Sequence, residues 1–163
     1  MDDNEKRRRE WFQSYVNRIE QGTIKAPRPG MIYACPCCGY PTLHERGGYD
    51  ICPLCNWEDD GQDDPHADEV WGGPNGAYSL TEARENFKKN LVMYGPIDPR
   101  IGGADSLFEK KAKQLMIDAF EQMRGETISE TLDKLWKKVS ESQKILDQET
   151  ERKIREHEEQ HKK

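Results

Sequence analysis

The sequence predicts a small α+β fold in which a metal-stapled β-hairpin is surrounded by helices, and three observations predict it. Two C-x-x-C turns, Cys35-Pro-Cys-Cys38-Gly and Cys52-Pro-Leu-Cys55-Asn, lie thirteen residues apart. Core material is scarce: of 163 residues, 34% are apolar and 34% charged. Ser79-Leu-Thr-Glu82, Ser106-Leu-Phe-Glu109 and Thr127-Ile-Ser-Glu130 each carry the serine or threonine, then glutamate, of a helix start ahead of an apolar stripe. So few apolar side chains do not build one large core, and a lone small hairpin buries too little surface to fold by itself. A structural metal, worth about 10–16 kcal/mol, makes up the difference. The expected layout is an N-terminal amphipathic helix and linker over 1–30, a cysteine-rich module over 31–100, and a helical hairpin over 101–163.

In chain order, the first helix follows from Trp11, Phe12, Tyr15, Val16 and Ile19, which fall on one helical face and end at Gly22. Pro27-Arg-Pro-Gly30 then reads as an extended linker. The triplet Arg7-Arg-Arg9 sits among Asp2, Asp3, Glu5 and Glu10, so it is expected to be a solvated face.

Each C-x-x-C turn sets two thiolates on one side of a tight loop. Two such turns supply the four ligands of a closed tetrahedral zinc site. Cys35, Cys38, Cys52 and Cys55 are therefore the expected ligands of a structural Zn2+. Pro41–Arg46 and Tyr49–Ile51 read as strands joined at Gly47-Gly48, which would make a zinc ribbon. Disulfides would require an oxidising compartment; the charged start, Met1 to Arg9, has no apolar segment behind it, so the cytoplasm is expected. A thioredoxin-like redox pair would need a strand–helix–strand setting that the pattern lacks. Ligand type alone does not separate zinc from iron, and zinc is the expectation. Cys37, the fifth cysteine, is expected to be a small thiol, packed or exposed, outside the ligand set.

The formal net charge of −6 is concentrated in one stretch: residues 47–83 hold nine acids and no lysine or arginine. Seven of those acids fall between Glu58 and Glu69. Gly61 and Pro65 make this segment a loop. It fails as an EF-hand, because with Gly61 at position six of such a loop Ala67 would occupy the bidentate position. No nucleophile or apolar wall stands near to split two carboxylate pKa values for catalysis. The functional expectation is an acidic docking surface formed by Glu58, Asp59, Asp60, Asp63 and Asp64, with Trp57 and Trp71 as anchors. Reversing Asp59, Asp60, Asp63 and Asp64 to lysine is expected to leave the fold intact. From Ser79 a helix with Leu80, Ala83, Phe87 and Leu91 on one face is expected to reach about Tyr94 and stop at Gly95-Pro96.

Five separated motifs, in order, carry a resemblance: Cys35-Pro-Cys-Cys-Gly-Tyr40, Tyr49 to Gly61, Gly72-Gly-Pro-Asn75, Ser79 to Phe87 and Tyr94 to Arg100. Together they resemble the bacterial cysteine-rich CPCC family over roughly residues 32–100. The resemblance implies a small metal-binding module, and it implies a link to secreted polymorphic toxins, which some members accompany as cognate immunity proteins.

Beyond it, Leu107, Phe108, Leu115, Ile117, Ala119, Phe120 and Met123 are expected on one face of a helix, and Leu132, Leu135, Trp136, Val139, Ile145 and Leu146 on the next. The stripe fades after Leu146, where the chain is expected to be solvated or frayed. His157 and His161 are expected to be surface histidines. No run of eighteen apolar residues marks a membrane span.

No nucleophile–base pair, phosphate-cradling glycine loop or open metal position emerges, so no enzyme is expected. The leading expectation is an immunity protein that plugs the cleft of a cognate toxin, such as an ADP-ribosyltransferase or nuclease, with its acidic surface. The alternative is a nucleic-acid- or translation-associated zinc ribbon; the acidic stretch argues against it by repelling phosphate.

Overall fold

A capping box starts the first helix. The Asp2 carboxylate accepts the Glu5 amide and the Glu5 carboxylate accepts the Asp2 amide, both at 2.9 Å, so helix α1 (Asp3–Glu20) begins eight residues ahead of its aromatic stripe. The computed structural model describes residues 2–27, 30–96, 98 and 106–162. The chain divides into two compact units, residues 1–102 and 103–163. Within the first, α1 buries Phe12, Tyr15 and Val16. Phe12 meets the Tyr40 ring edge-on, with centroids 6.0 Å apart, so α1 packs on the cysteine module.

The strands differ from the sequence reading. Strand β1 (Tyr33–Ala34) pairs antiparallel with β2 (Pro41–Leu43), Tyr33 opposite Leu43 and Ala34 opposite Pro41. The second pairing is a single bridge between Ile51 and Glu58. Strands therefore flank each C-x-x-C turn, where a hairpin between the turns was expected. The reason is local hydrogen bonding. Cys35 donates its amide to the Tyr40 carbonyl and Cys52 donates its amide to the Trp57 carbonyl, each at 2.9 Å. Residue 49 and its neighbours pair onward, the Tyr49 amide on Asp59 O and the Asp59 amide on Asp50 O. The segment between is held by side chains, the Asp50 carboxylate accepting the His44 amide at 2.6 Å.

Helix α2 (Leu80–Asn90) starts at Ser79, whose hydroxyl accepts the Glu82 amide, and buries Leu80, Ala83, Arg84 and Phe87. It ends earlier than expected because Leu91 turns left-handed, with φ 60°. That turn carries the chain back, and the Met93 amide donates to the Cys55 carbonyl at 2.8 Å.

The second unit is a helical hairpin. Helix α3 (Leu107–Met123) opens with the expected Ser106–Glu109 capping box. Helix α4 (Ser129–Gln160) has no side-chain cap at Ile128; the Glu126 carboxylate instead accepts the Thr127 and Ile128 amides, so the cap expected from Thr127 is replaced. The buried ridge of α3 is Ala112, Met116, Ala119, Phe120 and Met123, facing Leu135, Trp136, Val139 and Leu146 of α4. Phe120 and Trp136 meet edge-on at 5.8 Å. Leu107 and Phe108, expected on this face, are 71% and 69% exposed, since the first turn places them off the ridge. Beyond Leu146 the helix continues through charge pairs, Arg152 bridging Glu149 at 2.9 Å and Glu156 at 2.7 Å. No described helix is long and apolar enough to cross a membrane.

Candidate metal centre

Both cysteine turns adopt one backbone design. Gly39 and Asn56, each four residues after the first cysteine, take left-handed φ values of 81° and 69°. Each turns its amide back on that cysteine's carbonyl: Gly39 on Cys35 at 2.8 Å, Asn56 on Cys52 at 2.9 Å. An aromatic residue follows in each turn, Tyr40 or Trp57, and both are buried. The two turns face one another head to tail. Cys35 Sγ lies 3.6 Å from Cys55 Sγ, and Cys38 Sγ lies 3.7 Å from Cys52 Sγ.

All four sulfurs lie within 4.8 Å of one another, and each residue is 0% exposed. Metal–sulfur bonds of about 2.3 Å in a tetrahedron place sulfurs about 3.8 Å apart, so the cross-turn spacings fit one tetrahedral ion. Burial raises all four thiols, and Cys35, Cys38 and Cys55 stay well above the ordinary range. Cys52 ends well below it, because hydrogen bonds from Cys35, Cys38, Cys55 and Thr42 outweigh its own burial. The Thr42 hydroxyl reaches Cys52 Sγ at 3.0 Å. A divalent cation at the centre would offset the burial that raises Cys35, Cys38 and Cys55. Cys37 is buried beside Cys55 but is not one of the four mutually close sulfurs.

The first turn is further held by arginines, two of them from the triplet that the sequence reading placed in solvent. The Arg9 guanidinium donates to the carbonyls of Cys35 at 3.4 Å, Pro36 at 2.8 Å and Cys37. Arg84 Nε reaches the same Pro36 carbonyl at 2.9 Å, and its other arm reaches Asp64 at 2.6 Å. Burial and the neighbouring Arg84 pull the Arg9 pKa below its usual value. Arg8 lies over the Tyr40 ring, 4.6 Å from its centroid. Of the triplet, Arg7 is exposed. The capping box at Asp2 was the available signal that the helix starts early enough for Arg8 and Arg9 to lie on its packed face.

The expected docking residues divide in two. Trp57 is 0% exposed, and its indole nitrogen finds no partner among the described residues, so it is core and cannot anchor a partner. Asp59 is also 0% exposed: Oδ2 accepts from Arg46 Nε at 3.1 Å and the Gly47 amide at 2.6 Å, and Oδ1 accepts the Gly61 amide at 3.2 Å. Asp63 is half-buried; burial pushes its carboxyl up, but Arg46 and the Asp64 amide pull it below the usual range. These contacts overturn the expectation that reversal to lysine leaves the fold intact, for Asp59 above all, where a lysine would be buried against Arg46. They also let the acidic segment fold, and Asp64–His66 forms a 3-10 turn. Asp60 accepts the Gln62 amide at 3.0 Å, and Glu58 is bound through its backbone to Asn75. Asp64 and Trp71 are exposed, and Glu58 and Asp60 are partly so. His157 and His161 are exposed, as expected, their ring centroids 4.1 Å apart.

No curated protein and no solved structure matches the chain. Residues 33–98, the segment carrying both turns, the acidic loop and α2, match the family model described as cysteine-rich CPCC.

Proposed function

We propose that this chain is an immunity protein: a module braced by structural zinc, acting in the cytoplasm, whose acidic face occludes the cationic cleft of a cognate bacterial toxin. The observation that carries the reading is the sealed sulfur cluster. With all four ligand residues at 0% exposure, a bound ion has no open position for a substrate, and its role is to stiffen what surrounds it. Its second turn lies within the stretch 47–83, which holds nine acids and no lysine or arginine, although Arg46 and Arg84 pair with Asp59, Asp63 and Asp64. A cleft built to hold phosphate groups is basic, so such a surface is steered toward it and excludes its substrate. The link to toxins comes from the resemblance to the CPCC family; the electrostatic mechanism comes from this chain's own residues.

The test is co-expression with the toxin encoded in the adjoining reading frame. Expected are survival of the host and a purified complex whose association slows as salt rises. A toxin that still kills, with no complex formed, overturns the proposal. Zinc is part of it: elemental analysis of purified protein is expected to find one zinc per chain, and the visible absorption of a ferric tetrathiolate would assign iron instead. The nucleic-acid alternative is weakened by the internal engagement of Arg8 and Arg9, which leaves Arg7 alone of the basic triplet for phosphate. Salt-dependent binding to tRNA or duplex would restore it.

A further inference from the structure

We infer that the energetic anchor of the acidic face is the ridge Val70-Trp71, and that it fits a protein surface pairing an apolar pocket with a rim of lysine or arginine. The inference rests on the protein-binding reading above and narrows it. Val70 is 56% exposed and Trp71 47%, large apolar side chains adjacent to one another, with Tyr49 and Ile51 also exposed elsewhere in the same unit. Exposed apolar surface of this kind, bordered by charge, marks contact sites.

The Trp71 ring is held in place. His66 lies against it, with centroids 5.6 Å apart. The Glu69 carboxylate accepts from Trp71 Nε1 at 3.4 Å and pairs with His66 Nδ1 at 2.7 Å. The backbone beneath is pinned as well. Gln62, 1% exposed, donates to the His66 carbonyl at 2.8 Å and the Glu69 carbonyl at 2.6 Å. On the far side, Asn75 binds both backbone groups of Glu58, accepting the amide at 3.0 Å and donating to the carbonyl at 2.7 Å. A tryptophan fixed before binding loses little freedom on burial, which is the property of an interface anchor.

The border sets the occupant's charge. Asp68 and Glu69 are exposed beside the ridge, and the segment 47–83 offers no lysine or arginine to neutralise them. An apolar partner lacking cations would strip water from these carboxylates and leave them only their internal partners, Thr81 on Asp68 and His66 and Trp71 on Glu69; an acidic one would be repelled.

The probe is a phage-displayed library of random dodecapeptides, panned on the zinc-loaded full chain. Selected peptides are expected to combine lysine or arginine with an aliphatic or aromatic residue. Their affinity is expected to fall at least tenfold on Trp71→Ala and on Glu69→Lys, and less than twofold on Glu141→Lys in the other unit. Retention of the metal-to-thiolate absorption of a cobalt-loaded sample shows that the variants are folded. Selection of no peptide, of peptides without cations, or of peptides that bind Trp71→Ala as well as the parent overturns the inference, as does self-association of the parent that Trp71→Ala abolishes. Protection against the adjoining toxin separates the two levels. Trp71→Ala that still protects fully sinks the ridge and leaves the inhibitory function. Trp71-dependent peptide binding without protection keeps the ridge and removes that function.

Discussion

The two cysteine turns share their hydrogen bonds, their left-handed fourth residue and their buried aromatic, yet differ in what covers them. The first lies under α1. A Cβ on Gly39 would stand 3.1 Å from Arg9 Cγ and 3.3 Å from Arg8 Nε, so a side chain there would have to displace both arginines by a few tenths of an ångström besides straining φ. The second turn presents its equivalent residue to solvent, and Asn56 fills it. Asparagine tolerates the left-handed region better than most other side chains. One turn is thus held by arginine side chains on both its sides, from Arg9 and Arg84; the other is met by the Thr42 hydroxyl on Cys52 Sγ and by the Met93 amide on the Cys55 carbonyl. The difference teaches that matching local motifs need not carry matching shares of stability.

The largest effect ignores that asymmetry. Serine at Cys38 or at Cys52 removes one thiolate from the same ion, and each is expected to cost most of the metal's contribution, about 10 kcal/mol, and to unfold residues 1–102. Circular dichroism with and without a chelator checks it; a folded variant without metal would break the account. Acid acts in the same direction. Binding must deprotonate Cys35, Cys38 and Cys55, all pushed up by burial, so loading releases protons and retention weakens as pH falls.

Arg9→Ala sharpens the comparison next. It strips charged hydrogen bonds from the carbonyls of the first turn only, with an expected loss of about 2–3 kcal/mol in chemical denaturation. A cost below about 0.5 kcal/mol would show that the turn does not depend on its cover. The smallest test exchanges the left-handed residues. Gly39→Ala is expected to cost about 2 kcal/mol, through φ and through contact with α1, and Asn56→Ala about 1 kcal/mol, through φ alone. Equal costs would erase the distinction between covered and open turns.

What the sequence made legible follows the same division between local and distant causes. The grouping of the four cysteines and the caps at Ser79 and Ser106 were readable because their signals span only a few residues. The strands were misplaced because the hydrogen bonds closing each turn compete locally with the hairpin that the alternation between the turns suggested. Arg9 and Asp59 were misread because charged residues look solvated until the fold supplies their partners, here 27 and 13 positions away. Trp57 was taken for an anchor because a tryptophan beside acids reads the same whether it points inward or outward. The end of α2 was missed because Leu91 turns under the pull of a bond formed beyond the helix.

That bond also sets an order on biosynthesis. The carbonyl of the last ligand, Cys55, is satisfied by the amide of Met93, and the first turn is gripped by Arg84. As the chain leaves the ribosome, all four sulfurs emerge well before these two clasps. A nascent chain at that stage holds any captured ion in a half-clasped nest, open to exchange with competing metals or oxidants, and it is the arrival of α2 and the stretch just after it that locks the ion in.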